Sequence, residues 1–324
     1  MREIWVFAET FDEGVRPVSI QLLGKAKELA LEIGGCVAAV VLGGNEEIYG
    51  ILSKYGAEKI YAVEGNFEQY RSDVYSRALV ELIKKHSPYI FIFGATHVGR
   101  ELAPSVAAEL KLGLTADCTG LSIIRKDDED LLLQTRPAFG GNLMAEITCK
   151  TFPQMATVRP NVMREIETDA DGAEVIIEKM DSGSIFEILE KLSQSTEHKS
   201  VENAGIVVAG GRGLKRKEDF TMLEELASII GGTVGCSRPI VEKGWMPKSA
   251  QVGQSGKTIS PDLYIAVGIS GSVQHQAGMN GAKKIVAINS DPSAPIMDIA
   301  DYSLVGDLYE IVPELIRELK ENHN

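Results

Sequence analysis

The stretch Leu263-Tyr-Ile-Ala-Val-Gly-Ile-Ser-Gly-Ser-Val-Gln-His275 joins an apolar run to a turn of small residues. The run from Leu263 to Val267 has the length and composition of a buried strand, and the sequence that follows the turn is compatible with a helix through Met279. A strand that passes through a glycine-containing turn into a helix is typical of a parallel α/β sheet. Backbone N–H groups and serine hydroxyls gather at such a helix N-terminus, which favours a pyrophosphate.

The turn from Gly268 to Ser272 matches neither of the standard nucleotide motifs. It lacks the Gly-x-Gly-x-x-Gly of the dinucleotide fingerprint and the Gly-Lys-Ser/Thr of a P-loop. A tight turn between a strand and a helix needs glycine with or without a ligand, so the turn alone leaves both roles open. Three further features favour binding: a second small-residue loop from Val252 to Gly256, His275 in the first helical turn, and Asn289 at the end of the next strand.

The sequence around this stretch alternates strand-like and helix-like segments. Strands are predicted over residues 206–209, 263–267, 285–288 and 302–305, and helices over about 218–230 and from about 308. This alternation predicts a doubly wound C-terminal domain, in which ligand-binding loops lie at the ends of the strands.

The N-terminal half shows the same alternation, with predicted strands over residues 4–8, 36–42, 59–63 and 89–93. After Cys118 it changes to β-like runs over residues 131–135, 142–149 and 154–158 with a turn at Gly140-Gly141, interpreted as an antiparallel or mixed extension of the first sheet. Because residues 165–199 are rich in charged and small polar residues, a domain junction is expected near the end of that stretch. The predicted fold class is therefore α/β with two domains: a Rossmann-like parallel sheet with a β extension over 1–199, and a doubly wound domain over 200–324.

The composition narrows the class of protein. The formal net charge of -13 argues against general nucleic-acid binding, because such binding needs a basic surface. Cys36, Cys118, Cys149 and Cys236 are far apart and show no Cys-x-x-Cys spacing, so no metal site is predicted. No presequence and no membrane-spanning apolar window is recognised, and a reducing cytoplasm fits these features best.

Several polar residues at the predicted strand ends are candidates for ligand contacts. Arg238 could place a cation against a ligand edge, and a surface salt bridge is the alternative. His275 could contact a ligand or be a satisfied structural donor. Ser255 could donate to a ring nitrogen or a carbonyl group.

Arg212, held between glycines, is the best ligand candidate of a local basic cluster. Asn289 and Asp291 could contact an adenine or a ribose, while turn capping by Asp291 is the equally weighted alternative. No catalytic constellation for hydrolysis is present, so the sequence predicts a holder for a cofactor with its own chemistry.

Five ordered segments of the chain closely resemble the α subunit of electron transfer flavoproteins. They are Gly210-Gly-Arg-Gly-Leu214, Gly235-Cys-Ser-Arg-Pro239, Gln251-Val-Gly-Gln-Ser-Gly-Lys257, the run from Pro261 to Met279, and Val286-Ala-Ile-Asn-Ser-Asp-Pro292. The resemblance extends over essentially the whole chain, more loosely in the first domain. It implies an obligate heterodimer in which the first domain packs on a β subunit and the C-terminal domain binds one FAD noncovalently.

Residue by residue, the resemblance implies that the following positions contact FAD: Arg212, Ser237, Arg238, Gln251, Val252, Gly253, Gln254, Ser255, Ser270, Gly271, Ser272, Val273, Gln274, His275, Asn289, Asp307 and Leu308. Arg238 would face the isoalloxazine, Ser255 would approach its N5 edge, and His275 would lie near its pyrimidine end. Many family members have threonine at the position of Ser255, so the hydroxyl is kept here without the stiffness of a β-branched side chain. Cations and donors aimed at the reduced ring would raise its potential.

The resemblance also implies partners, of two subtypes. In one, the β subunit holds AMP and the heterodimer shuttles electrons from acyl-CoA dehydrogenases. In the other, the β subunit holds a second FAD and an NADH site, and the complex bifurcates electrons toward ferredoxin and a high-potential acceptor such as the flavin of a dehydrogenase. The segments Gly113–Leu121 and Thr135–Met144 resemble the second subtype.

Two other classes of function compete with an electron carrier. The C-terminal domain could bind NAD or thiamine diphosphate as an independent enzyme, or it could be a regulatory nucleotide-binding module. Flavin absorption in the purified protein, and its co-purification with a β subunit, would separate the three.

Overall fold

The computed structural model describes residues 2–11, 14–138, 143–168, 172–180, 183–184 and 201–322. These residues form two compact units, unit 1 up to residue 184 and unit 2 from residue 201. The predicted domain boundary between residues 199 and 200 and the predicted turn at Gly140-Gly141 lie outside the described residues.

Unit 1 is built on a parallel sheet. The described strands of unit 1, inside and outside that sheet, are β1 (Glu3–Phe7), β2 (Thr10–Phe11), β3 (Gly14–Val15), β4 (Cys36–Leu42), β5 (Lys59–Glu64), β6 (Ile90–Gly94), β7 (Leu114–Cys118), β8 (Gly120–Lys126), β9 (Glu129–Ala138), β10 (Leu143–Ile147), β11 (Gln154–Val158) and β12 (Glu174–Lys179). Its helices are α1 (Pro17–Ile33), α2 (Glu46–Lys54), α3 (Ser72–His86) and α4 (His97–Leu110). The seven strands of the main sheet have the order β12-β5-β4-β1-β6-β11-β7 and are all parallel.

The central strands of unit 1 are buried on both faces. Ile4 and Val6 of β1 pack in the cluster that includes Leu22 of α1, whereas Trp5 and Phe7 pack on the opposite side with α3 and α4. Helices on both faces of a parallel sheet explain why these strands are almost continuously apolar in sequence.

The structure confirms antiparallel strands after Cys118 and corrects which sheet each predicted strand belongs to. Strands β8, β9 and β10 form a separate antiparallel sheet. The run over residues 154–158, predicted as part of the extension, is instead β11, a parallel strand between β6 and β7 in the main sheet. The edge strand β12 was not predicted, because its exposed charges Glu174 and Lys179 are those of a strand with little burial.

Unit 2 contains the stretch quoted first. Its strands are β13 (Ile206–Gly210), β14 (Thr233–Cys236), β15 (Leu263–Val267), β16 (Lys284–Asn289) and β17 (Tyr302–Val305). Its α-helices are α5 (Phe220–Ile229), α6 (Arg238–Glu242), α7 (Val273–Gln276), α8 (Pro295–Ile299) and α9 (Leu308–Asn322), with 3-10 turns at Val201–Asn203, Lys217–Asp219 and Lys248–Ala250. The strands form one parallel sheet in the order β14-β13-β15-β16-β17.

The five-stranded sheet confirms the predicted α/β class for the C-terminal part. Side chains of β15 alternate between two cores: Ile265 packs in the cluster of α5 and α9, and Tyr264 packs on the other side with Val252 and Ile296. The strand order reverses between β13 and β15, since the chain adds β14 on one side of β13 and β15 on the other. Ligands of open α/β sheets bind outside the carboxyl ends of strands at such a reversal. Within the described part of the chain, no helix is long and apolar enough to cross a bilayer.

Candidate functional site

A cavity of about 380 Å³ opens at the carboxyl ends of β13, β14 and β15, where the strand order of unit 2 reverses. This volume lies in the range of small-molecule sites. The lining residues are Arg212, Ser237, Arg238, Pro239, Gln251, Val252, Gly253, Gln254, Ser255, Ile269, Ser270, Gly271, Ser272, Gln274 and His275. The lining thus brings together most of the residues that the sequence singled out.

The loop after residue 250 forms one wall of the cavity. A hydrogen bond within the loop stabilises its conformation, because the buried Gln251 donates through Nε2 to Ser255 Oγ at 3.0 Å. The Gln254 N–H donates to the Gln274 carbonyl at 2.7 Å and so joins this loop to α7. Gly253 has φ 140 and would bring a Cβ to 3.1 Å from the Gln274 oxygen, so glycine permits this close approach.

The turn between β15 and α7 forms the facing wall. Gly271 has φ 78, and a Cβ there would lie 2.5 Å from the backbone nitrogen of Ile296, at the start of α8. The Ser270 carbonyl accepts from that same nitrogen at 3.1 Å. Backbone contact with α8 therefore fixes the turn and requires glycine at 271.

The helix after this turn is shorter than predicted. Helix α7 has 4 residues, Val273–Gln276, and is followed by hydrogen-bonded turns instead of continuing to Met279. The macrodipole of such a short helix is smaller than the sequence suggested. The donors available to a ligand are therefore mainly individual N–H groups, hydroxyls and the guanidinium groups of the lining.

His275 lines the cavity and is 6% exposed. Its Nε2 lies 2.8 Å from the hydroxyl of Tyr264, a residue of β15. Its Nδ1 has no hydrogen-bond partner among the residues that the structure describes. Burial lowers the pKa of His275 to about 4 and outweighs the opposite effect of hydrogen bonding to the Val252 backbone, so the imidazole is neutral at neutral pH. A neutral His275 can act on a ligand as a hydrogen-bond donor or acceptor, and not as a cation.

Arg238 begins α6 and lies at the rim of the cavity. Its side chain is 67% exposed, and Nε donates to Glu242 Oε1 at 2.7 Å, one helical turn further on. The structure thus shows the surface ion pair that was the alternative for Arg238, while its contact with a ligand stays a prediction that its place in the cavity lining allows. Arg212 is exposed on the lining as well, and its side chain has no ion pair with any described residue.

Four of the predicted contact residues do not belong to the lining. Asn289 uses its amide within the protein, because Nδ2 donates to the Ile269 carbonyl at 2.8 Å and Oδ1 accepts from the Asp291 N–H at 3.0 Å. Asp307 accepts from the Tyr309 N–H at 2.9 Å and so caps α9.

The other two are hydrophobic. Leu308 is buried in the core of unit 2, and the side chain of Val273 is exposed. Direct contact of these four residues with a ligand stays a prediction. Asp291 itself accepts from Ser293 N and Oγ, which is the turn-capping alternative.

Pro239 and Ile269 line the cavity without having been predicted. Each is the sequence neighbour of a predicted residue, Arg238 or Ser270, so extending each motif by one residue would have found them. Tyr264 could not be found in this way. It reads as an ordinary apolar strand residue, and only the tertiary structure brings its hydroxyl to His275.

The charge of the lining indicates the chemistry of the ligand. Two guanidinium groups, several hydroxyls and amides face the cavity, and none of the lining residues carries a carboxylate, although the whole chain has a net charge of -13. This donor set, together with the unpaired Nδ1 of His275, fits a ligand that carries phosphates and a ring with hydrogen-bonding edges. No group of three or more His, Cys, Asp or Glu residues is placed to hold a metal ion in the described ranges.

Comparison with known proteins identifies similar chains. Residues 4–182 match the family model described as the electron transfer flavoprotein domain, and residues 200–280 match the electron transfer flavoprotein FAD-binding domain. The chain is 46% identical over 327 residues to the electron transfer flavoprotein subunit alpha of Thermoanaerobacterium thermosaccharolyticum, covering 99% of this chain and 98% of that one.

Two further relatives have comparable identity. The electron transfer flavoprotein subunit alpha of Clostridium acetobutylicum is 45% identical over 330 residues, covering 99% of this chain and 98% of that one. A subunit of Acetobacterium woodii named lactate dehydrogenase (NAD(+),ferredoxin) subunit LctC is 43% identical over 330 residues, covering 100% of this chain and 78% of that protein.

Proposed function

The chain belongs to the electron transfer flavoprotein α-subunit family, and we propose that it is the α subunit of a heterodimer and binds one FAD in the cavity of unit 2. The family match confirms the resemblance that was predicted from the five sequence segments. Beyond membership of the family, we propose which cavity holds the flavin, that one flavin binds there, and that the chain has a β-subunit partner.

One observation carries the assignment of FAD to this cavity. Its lining lacks carboxylates and collects guanidinium groups, hydroxyls and an unpaired imidazole nitrogen at the point where the strand order reverses. An acidic protein that keeps one concave surface free of carboxylates has a site suited to an anion, and FAD carries a pyrophosphate. The 200–280 match to a family FAD-binding domain supports the same assignment.

When bound, FAD supplies the redox chemistry, because its isoalloxazine ring accepts and passes on electrons. The chain's own residues would bind and orient the ring and tune its electronics. Ser270 and Ser272 would donate to phosphate oxygens, Ser255 would donate to the isoalloxazine, and Arg238 would stabilise negative charge on the reduced ring. The Gln251 amide keeps the Ser255 hydroxyl in place through their 3.0 Å contact.

Two features support a bifurcating complex as the wider setting. The segments Gly113–Leu121 and Thr135–Met144 resemble the bifurcating subtype, and the name of the Acetobacterium woodii relative includes both NAD(+) and ferredoxin. We therefore extend the proposal to a β subunit with a second FAD and an NADH site, and to ferredoxin and a flavin dehydrogenase as electron acceptors. All four cysteines are free thiols, which supports a reducing compartment such as the cytoplasm.

Co-expression with its β subunit tests the proposal at each level. The heterodimer is expected to be yellow and to release two FAD molecules on denaturation. One FAD with one AMP would refute the bifurcating type and indicate the shuttle. A colourless chain that binds NAD, or a chain that fails to assemble with the β subunit, would refute the carrier function.

A further inference from the structure

Two buried side chains, Tyr264 and His275, are in contact at the cavity, and Tyr264 has no role in the function proposed above. The Tyr264 hydroxyl lies 2.8 Å from Nε2 of His275, and Tyr264 itself is completely buried. The ring of His275 is the part of the pair that lines the cavity. If Tyr264 fixes the orientation or the tautomer of this ring, it therefore also fixes which ring atom a bound ligand meets.

Both partners are neutral. Burial, and then the nearby Cys236 thiol, raise the pKa of Tyr264 well above its ordinary value. Burial lowers the pKa of His275 to about 4. The contact is thus a hydrogen bond between a neutral phenol and a neutral imidazole, and the pair shares a single bridging proton.

Donor counting decides which atom carries this proton. If Nε2–H donated to the phenol oxygen, the phenol proton would need another acceptor, and His275 Nε2 is the only polar atom within hydrogen-bond distance of this hydroxyl in the part of the chain that the structure describes. If the phenol donates to Nε2, every hydrogen-bonding group of the pair is used except Nδ1–H. The second arrangement avoids burying an unpaired hydroxyl proton, so it is favoured.

We propose that Tyr264 is a positioning residue: its hydroxyl donates to Nε2 of His275 and holds the ring as the neutral tautomer with its proton on Nδ1, which is left to donate to the bound flavin. The step from tautomer to flavin rests on the proposed function. The tautomer itself does not depend on the flavin. A carbonyl oxygen of the reduced, negatively charged ring accepts a stronger hydrogen bond than that of the oxidised ring, so a fixed donor favours reduction.

The surroundings of the pair support a single fixed state. His275 packs against the loop of Val252 and Gly253, and Tyr264 packs in the core that includes Val252 and Ile296. Among the residues that the structure describes, the only titratable group besides the pair that affects either pKa is the Cys236 thiol, which burial keeps protonated by raising its pKa to about 12. Neither Cys236 nor the pair itself therefore titrates near neutral pH, and these three groups leave the bridging proton in place.

The tautomer can be read by ¹⁵N NMR on the αβ heterodimer with ¹⁵N-histidine in this chain. Its five histidines are His86, His97, His198, His275 and His323, and the resonances lost in His275→Gln identify the site. The expected result is a neutral ring with the proton on Nδ1, with or without FAD. A proton on Nε2, or a doubly protonated ring at pH 7, would overturn the proposal even if no Tyr264 variant folds.

The functional consequence is tested with Tyr264→Phe, which removes only the hydroxyl. Tyr75→Phe is the matched control, because Tyr75 is also buried, its hydroxyl donates to the Phe67 carbonyl, and both of these residues belong to unit 1 whereas His275 belongs to unit 2. Tyr264→Phe is expected to spread the His275 proton over both nitrogens. At a fixed solution potential, it should also lower the ratio of one-electron-reduced to oxidised bound flavin about tenfold. This change corresponds to a flavin potential lowered by about 59 mV. The control should match the parent in both measurements.

A purely structural role for Tyr264 gives a different result. FAD occupancy would then fall while the flavin that stays bound keeps its potential and His275 keeps its tautomer, and this outcome would overturn the proposal. If the parent heterodimer binds no FAD but His275 still carries its proton on Nδ1, the proposed function has failed and the positioning role of Tyr264 stands.

Discussion

Glu242 is not part of the cavity lining, yet we expect its carboxylate to lower the affinity for FAD, because it pairs with Arg238. The two side chains are 67% and 58% exposed and lie one helical turn apart, a setting in which an ion pair contributes about 0.3–0.5 kcal/mol. Arg238 must give up or share this contact when it turns to a ligand. Glu242→Gln removes the competitor, so FAD affinity should rise by about twofold, which is what this energy amounts to.

Arg238→Ala should act in the opposite direction on the flavin potential. A contact between a charged group and a polar one contributes about 1.5–3 kcal/mol, and the exposure of Arg238 favours the lower end. That energy, if it acts only on the reduced ring, corresponds to a potential lowered by about 60 mV per electron. Glu242→Gln should raise the potential by less than this, since it adds no contact and only removes a negative charge.

Fluorescence titration of the apo-heterodimer with FAD gives the affinity, and redox titration with a reference dye gives the potential. Glu314→Gln is the matched control, because Glu314 pairs with Arg317 on α9 and is not part of the cavity lining. It should change neither quantity. An unchanged potential in Arg238→Ala, or a lower affinity in Glu242→Gln than in Glu314→Gln, would refute the role assigned to Arg238.

Two further predictions concern the walls of the cavity. Gly271→Ala should release FAD at a lower temperature than the control Gly244→Ala. Both positions have positive φ, 78 and 69, but only at 271 would a Cβ meet Ile296, and this overpacking costs about 1–3 kcal/mol. Equal release temperatures would contradict this packing. The pKa of His275 in the folded state, about 4, lies below its value near 6.5 in the unfolded state, so the unfolded state takes up the proton first as the pH falls. The folded protein therefore loses stability as the pH falls from about 6.5 toward 4, by at most about 3 kcal/mol. Urea unfolding over this pH range should show a flatter dependence for His275→Gln than for the parent, and identical slopes would argue against a buried neutral imidazole.

Many strands of both units were accessible from local sequence, although β7, β8, β12 and β14 were not predicted. The predictions for residues 36–42, 263–267 and 302–305 coincide with β4, β15 and β17, because an apolar run of strand length between glycine, proline or charged residues has few other stable conformations. The pairing of these strands was less accessible. Residues 154–158 look like the short runs before them, yet they enter the main sheet as β11, since sheet membership depends on contacts with residues more than sixty positions away.

The sequence by itself determined that this chain builds two α/β units and that a family of flavoproteins contains it, because periodicity and ordered motifs are local properties of the chain. Only the tertiary structure decided which polar residues share one cavity, that Arg238 pairs with Glu242, and that a strand tyrosine reaches His275. The physical reason is that burial and hydrogen bonding between distant residues set the charge of His275 and the availability of its nitrogens. Neither can be read from the residue types alone.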